Sequence, residues 1–239
     1  MRPRACPYAS LEGNRLTPEC DDHVHTSRDR LRRVINVAVA LVGIALAAPL
    51  MALVAIVIKL DSRGPVIYKQ PRVGLDRRGS RARPRQRSRR HSDVGGRVFT
   101  IYKFRTMATA RHDDGERWAS KDDRRVTRVG RFLRATRIDE LPQLLNVLKS
   151  DMNIVGPRPE QPTIFAELRR EVEGYHERQK VLPGITGWAQ VNLGYDETIE
   201  HVKRKVELDL EYIGRRSATE DLAIMAKTMP VMISRRVWM

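Results

Sequence analysis

From Val37 to Ile58 the chain runs 22 residues without a charged side chain, long enough to cross the hydrocarbon core of a bilayer. Its flanks are cationic on both sides. Arg28, Arg30, Arg32 and Arg33 precede it, and Lys59, Arg63, Lys69, Arg72, Arg77 and Arg78 follow. Positive charge marks the cytoplasmic side of a membrane segment, so both ends are expected on one face, which a straight crossing cannot satisfy. A helix over residues 28–60 that enters, breaks at Pro49 and returns satisfies both flanks. A single span kinked at Pro49 is the competing geometry, since membrane helices tolerate proline. The segment is not a cleavable signal, because it begins after more than thirty residues and carries no convincing cleavage site.

The other residues divide by composition. Residues 1–27 carry prolines, a glycine and scattered charges without periodicity, and read as a flexible tail. The two cysteines, Cys6 and Cys20, both fall there, and with His23 and His25 they match no zinc spacing. Residues 61–239, with 41% hydrophobic content in the whole chain, suffice for one folded domain. The net charge of +16 calls for a polyanionic partner: nucleic acid, an anionic membrane or phosphorylated substrates. Eight arginines and no acid between Arg77 and Arg90 predict a solvated, basic flexible insert over residues 77–95, drawn to anionic lipid headgroups. That run lacks the interleaved aromatics of an RNA-binding arm. A membrane-anchored, Arg-rich nucleic-acid binder would account for the charge, but it leaves the motifs below unexplained.

Those motifs lie in the 61–239 region. Short β-branched and aromatic runs at residues 65–68 and 98–102 predict strands. KFRTM closes the second with Lys103 and Arg105 two apart, on one face of an extended chain, as a phosphate clamp would need. In RIDELPQ (residues 137–143), Pro142 belongs in the first turn of a helix whose apolar face is Leu141, Leu144, Leu145 and Leu148. Asp139 and Glu140 then sit at a helix N-terminus, where an ordinary N-cap and a phosphate or metal site are both open readings. Pro157 and Pro159 hold Arg158 rigidly, ready for bidentate phosphate contact or simply in a stiff turn. Residues 162–180 read as a charged amphipathic helix. Trp188 lies on a Gly-bounded loop as a packing residue or a platform for a ligand ring. A helix is expected near residues 197–213, and the apolar tail 222–239, closed by Arg235, Arg236 and Trp238, could lie on a membrane surface.

The blocks KFRTM, RIDELPQLLNVLKSDMNIVGPRP and PGITGWAQVN, in this order after one apolar segment, closely resemble the bacterial sugar transferase family, the monotopic polyprenyl-phosphate phosphoglycosyl transferases. The resemblance implies a mostly helical α+β fold: a small catalytic domain on the cytoplasmic face of the membrane, one N-terminal membrane helix and interfacial amphipathic helices. It implies transfer of a sugar 1-phosphate from a nucleotide sugar, UDP-linked in the expected case, to polyprenyl (undecaprenyl) phosphate. Asp139 is expected as the nucleophile, Glu140 as its partner for protons or Mg2+, with Asp139 also near the metal. Lys103, Arg105, Arg137, Gln143, Arg158 and Trp188 are expected around the substrates. The family's Ser-Pro breaker is here Ala48-Pro49, and a fourteen-residue Arg-rich run stands where the family usually has a short turn. With 33 residues before the apolar segment, the chain resembles the form without a multi-span extension. The resemblance predicts no nucleic-acid partner and leaves room for a homodimer.

Overall fold

A computed structural model describes residues 27–76, 96–108, 123, 125–193 and 198–233. The expected tail, the 77–95 insert and the closing Arg235, Arg236 and Trp238 lie outside these residues. The fold is mostly helical α+β, with one long apolar helix at its N-terminal end. That helix, α1 (Ser27–Asp61), is the one helix among the described residues long and apolar enough to cross a membrane. It continues through Pro49 as a single element, where a break had been expected. Proline removes one ladder hydrogen bond, and the apolar turns on either side are long enough to keep helical pairing going past it.

One stripe of α1 faces the rest of the chain. Arg32, Asn36 and Ala40 are buried at one end, and Val54 and Ile58 at the other. Within each group the spacing of four residues keeps these side chains on one helix face. Between them Ala48, Pro49 and Leu50 are exposed, and Leu41, Leu46, Leu53, Ile56 and Leu60 form an uncovered apolar face.

The strands β1 (Ile67–Val73) and β2 (Val98–Phe104) pair antiparallel from Ile67 opposite Phe104 to Val73 opposite Val98. The strands run two to five residues beyond the expected ends. The Asn146 side chain covers the free edge of β2: its Nδ2 donates to the Thr100 carbonyl at 2.7 Å and its Oδ1 accepts from the Tyr102 amide at 3.1 Å. Asn146 belongs to α3 (Leu144–Leu148), so one amide docks the segment after the RIDELPQ motif onto the hairpin.

Helix α2 (Arg128–Ala135) is capped by Thr127, whose Oγ1 accepts from the Gly130 amide at 2.9 Å. The parallel pair β3 (Asn153–Val155) and β4 (Gly184–Thr186) frames the 157–159 loop. A Cβ on Gly156 would lie 2.5 Å from the Leu182 carbonyl oxygen, so only glycine admits this approach. The expected helix over 162–180 divides: α4 (Pro162–Glu171) ends before Gly174, whose φ of 72° turns the chain into a 3-10 segment at Tyr175–Lys180. Helices α5 (Trp188–Asn192), α6 (Ile199–Arg215) and α7 (Ala218–Ile233) complete the domain.

Polar contacts fasten α1 to the domain. Arg32 Nε donates to Asp221 Oδ2 at 2.9 Å, and one Nη donates to Asp221 Oδ1 at 3.1 Å and to the Tyr212 hydroxyl at 2.8 Å, joining α1 to α6 and α7. Asn36 Oδ1 accepts from the Ile154 amide at 2.6 Å. Arg33 donates to the Val147 carbonyl at 2.7 Å and to Ser150 Oγ at 2.7 Å, closing the C-terminal end of α3. Two of the flanking arginines are therefore structural. Replacing Asp221 by Asn leaves buried Arg32 with only the longer pairing to Asp29 at 4.0 Å, and should cost about 3 kcal/mol. The expected result is a fall in the unfolding midpoint in detergent, largely reversed in an Arg32→Met, Asp221→Leu double variant.

Candidate active site

RIDELPQ folds as a 3-10 turn, Ile138–Gln143, not as the first turn of an α-helix. Arg137 precedes it in the left-handed region at φ 58°, with its amide still bonded to the Arg134 carbonyl at 3.2 Å. That conformation is uncommon for a side chain with a Cβ and turns the chain sharply out of α2. Asp139 therefore neither caps an α-helix nor stands at a substantial helix dipole, because the α3 that follows has five residues. The leucine face splits accordingly. Leu141 packs toward α1 and α2 while Leu145 turns outward.

Asp139 and Glu140 are both buried, at 7% exposure each. Three cations from three elements converge on Glu140 Oε1: Lys103 Nζ at 3.0 Å, Arg137 Nη1 at 3.3 Å and Arg158 Nη2 at 2.8 Å. Arg158 also donates to Gln190 Oε1 at 3.3 Å, and its own carbonyl accepts from Arg178 at 3.1 Å. Asp139 Oδ1 is buried without a hydrogen-bond partner. Burial works against both carboxylates, but Arg158, Lys103 and Arg137 hold Glu140 well below the usual carboxylate range. Burial first, and then the neighbouring Glu140, push Asp139 up to about 6 against those cations. Burial also lowers the Lys103 ammonium, partly countered by Glu140. Asp139 is thus the more basic carboxylate, with one oxygen uncommitted, beside donors suited to phosphate oxygens.

Gln143, one turn beyond Glu140, is 2% exposed and lines a cleft with Lys103 and Arg158. The other two expected side chains are elsewhere. Arg105 lies past the end of β2 and donates to the carbonyls of Ile58, Ser62 and Arg63 at 3.3, 2.7 and 2.7 Å, closing the C-terminal end of α1. The clamp expected from two cations on one strand face does not form, because the strand ends at Phe104. Trp188 donates from its indole to Glu211 Oε2 at 3.2 Å, with Arg215 and Lys227 over its ring at 4.3 and 4.5 Å. Its ring is a platform for the chain's own cations.

A layer behind Arg158 was missed from sequence. Glu160 pairs with Lys205 at 3.1 Å and Arg72 at 3.7 Å, and Arg178 with Asp209 at 2.7 Å. The available signal was Lys205 and Asp209 beside Val202 and Val206 on the apolar face of α6, where an unpaired charge would be costly.

The family model described as bacterial sugar transferase matches residues 27–235, nearly the whole chain. The chain belongs to the bacterial sugar transferase family. It is 41% identical over 204 residues to the UDP-N-acetylgalactosamine-undecaprenyl-phosphate N-acetylgalactosaminephosphotransferase of Aeromonas hydrophila, covering 85% of this chain and 44% of that protein. It is 37% identical over 221 residues to the UDP-glucose:undecaprenyl-phosphate glucose-1-phosphate transferase of Escherichia coli K12, covering 92% and 44%. Identity to the similarly named protein of Caulobacter vibrioides is 39% over 208 residues, covering 86% and 71%. The chain thus spans less than half the length of the first two relatives.

Among the described residues no group of three or more His, Cys, Asp or Glu side chains could cage a metal. Asp139, with its unpartnered buried oxygen, and the adjacent Glu140 are the residues that could hold a magnesium ion, which would then need further ligands from outside the protein.

Glu160 is held down to about 2: burial opposes its ionisation, and Lys205, Arg178 and Arg72 overcome that. The stability it adds is present above the ordinary value of 4.5 and is lost as pH falls toward 2. Glu160→Gln should therefore lower the unfolding midpoint at neutral pH, with the difference from wild type shrinking through this window. Arg105→Ala should lose the caps on α1, at roughly 1–3 kcal/mol, in a thermal melt.

Proposed function

We propose that the chain transfers a sugar 1-phosphate from a UDP-sugar to undecaprenyl phosphate, the step that initiates membrane-bound polysaccharide assembly. Family membership supports this reading, as do relatives whose names state UDP-sugar and undecaprenyl-phosphate chemistry. The observation that carries it is local. A basic, buried carboxylate with a free oxygen stands next to a carboxylate that gathers three cations.

In the proposed first step, an Asp139 oxygen attacks the β-phosphorus of the nucleotide sugar. The bond from that phosphorus to the bridging oxygen breaks, and its electron pair leaves with the nucleoside monophosphate. The sugar phosphate is then an aspartyl ester. In the second step a phosphate oxygen of the polyprenyl acceptor attacks the same phosphorus and Asp139 departs as a carboxylate. Division into two displacements lets one buried group serve both substrates in turn. Arg137, Arg158 and Lys103 would hold the non-bridging oxygens and offset charge in each step. Glu140 keeps these cations in register, and Asp139 and Glu140 are the residues that would hold Mg2+. When bound, the ion would neutralise diphosphate charge and polarise the phosphorus–oxygen bond.

The same reading places the catalytic domain on the cytoplasmic face of the membrane, with α1 re-entrant. Both ends of α1 pack on one folded domain, which supports their lying on the same side of the membrane. Exposed Ala48, Pro49 and Leu50 are the part freest to enter lipid.

Membranes bearing the protein, incubated with UDP-sugars, undecaprenyl phosphate and Mg2+, should release UMP with at least one sugar. Asp139→Asn should abolish release, and a phosphosugar adduct should be trapped on a peptide containing Asp139. Unimpaired release by Asp139→Asn would overturn the mechanism.

A further inference from the structure

The hairpin has a direction relative to the apolar helix. At one end, Val66, Ile67 and Phe104 pack with Val54 and Ile58 of α1. At the other, Val73 packs with Ile164, Phe165 and Val206 of α4 and α6. Lys103 is opposite Tyr68, near the α1 end, whereas Arg72 is opposite Phe99, near the far end. Five residues of strand separate Ile67 from Arg72, roughly 17 Å. The cleft beside the dyad runs along this direction, from Lys103 past Ile101 to Arg72, with Gln143, Arg158 and Pro159 as its other walls.

Its polar lining is three cations and one amide, with no carboxylate. Two donors there are buried and unspent. Gln143 Nε2 has no partner although the residue is 2% exposed, and Arg72 Nε has none either. The Arg72 Nη groups are committed to the Pro159 carbonyl at 3.1 Å, Gln70 Oε1 at 2.8 Å and Glu160 at 3.7 Å, which fix the guanidinium against the 157–160 loop. A buried unpaired donor is costly, and two of them on residues that line one cationic cleft suit an anion's oxygens.

We infer that this cleft, with Arg72 and Gln143 as its donors, binds the α-phosphate of the nucleotide sugar, the group that departs as nucleoside monophosphate. This rests on the transfer reading above. The cleft leads away from α1, so it suits the water-borne substrate, while a lipid phosphate would approach from the α1 side. Cleavage of the β-phosphorus–oxygen bond leaves the electron pair on the bridging oxygen of that phosphate, whose charge grows from about −1 to about −2. Donors fixed there stabilise the charge as it develops.

The test uses the full chain in nanodiscs and two ligands, UMP and undecaprenyl phosphate. Gln143→Leu keeps the volume and removes an unpaired donor, so its unfolding midpoint should hold or rise. Its dissociation constant for UMP, by calorimetry, should increase at least about tenfold, with KM for undecaprenyl phosphate within about twofold of wild type. Arg72→Lys keeps the charge but loses the Nε donor together with the Nη contacts to the 157–160 loop, and should weaken UMP as well. Unchanged UMP affinity in both folded variants overturns the assignment. So does a raised KM for undecaprenyl phosphate with UMP unaffected, which would give the cleft to the acceptor. Calorimetry needs no turnover, so the two readings fail separately. UMP binding weakened in the variants of a protein that turns over no UDP-sugar would remove the transfer reading and support a nucleotide phosphate site. Turnover with unchanged UMP affinity would remove the cleft alone.

Discussion

A single carboxylate oxygen organises the candidate site of this molecule. Glu140 Oε1 accepts from Lys103 at the end of β2, Arg137 at the head of the 3-10 turn and Arg158 on the loop after β3. Three like charges so close would repel one another if the anion were missing. Their convergence ties three distant stretches of sequence to one point, and it leaves Asp139 beside them with an oxygen unspent. The same arrangement explains why two adjacent carboxylates differ. Glu140 takes the cations and becomes the weaker base, while Asp139 bears more of the cost of burial and becomes the stronger one.

Support for this point comes from behind. Arg178 holds the Arg158 carbonyl and Arg72 the Pro159 carbonyl, while Glu160 is paired with Lys205 of α6. The 157–160 loop is therefore fixed by its backbone as well as by its prolines, which limits how far Arg158 can drift. From the other side, Arg33 closes α3 and Arg105 closes α1, so the long apolar helix and the dyad turn share one frame. A helix suited to lipid and a site suited to phosphates are thereby built as one object.

Much of this was legible in the chain. The long apolar helix, α6 and the two strands follow from periodicity and β-branched runs, because those signals are local. The dyad and the rigid Arg158 followed from motif and proline chemistry. The misreadings share a cause. Treating 162–180 as one helix overlooked Gly174, whose positive φ divides it. Asp139 and Glu140 do open a helical segment, but expecting an α-helix there overlooked that a 3-10 turn also accommodates Pro142. Pairing Lys103 with Arg105 assumed that β2 continues beyond Phe104.

What the sequence by itself determined is the inventory: an apolar segment long enough for a bilayer, a carboxylate pair, and an excess of cations with prolines fixing one of them. Only the tertiary structure decided how the cations are used. Lys103, Arg137 and Arg158 meet Glu140, Arg105 caps a helix, and Arg215 and Lys227 stack on Trp188. The reason is physical. Helix and strand signals arise between near neighbours, whereas the partner of a charge is set by which distant segments pack together, and no local pattern encodes that choice.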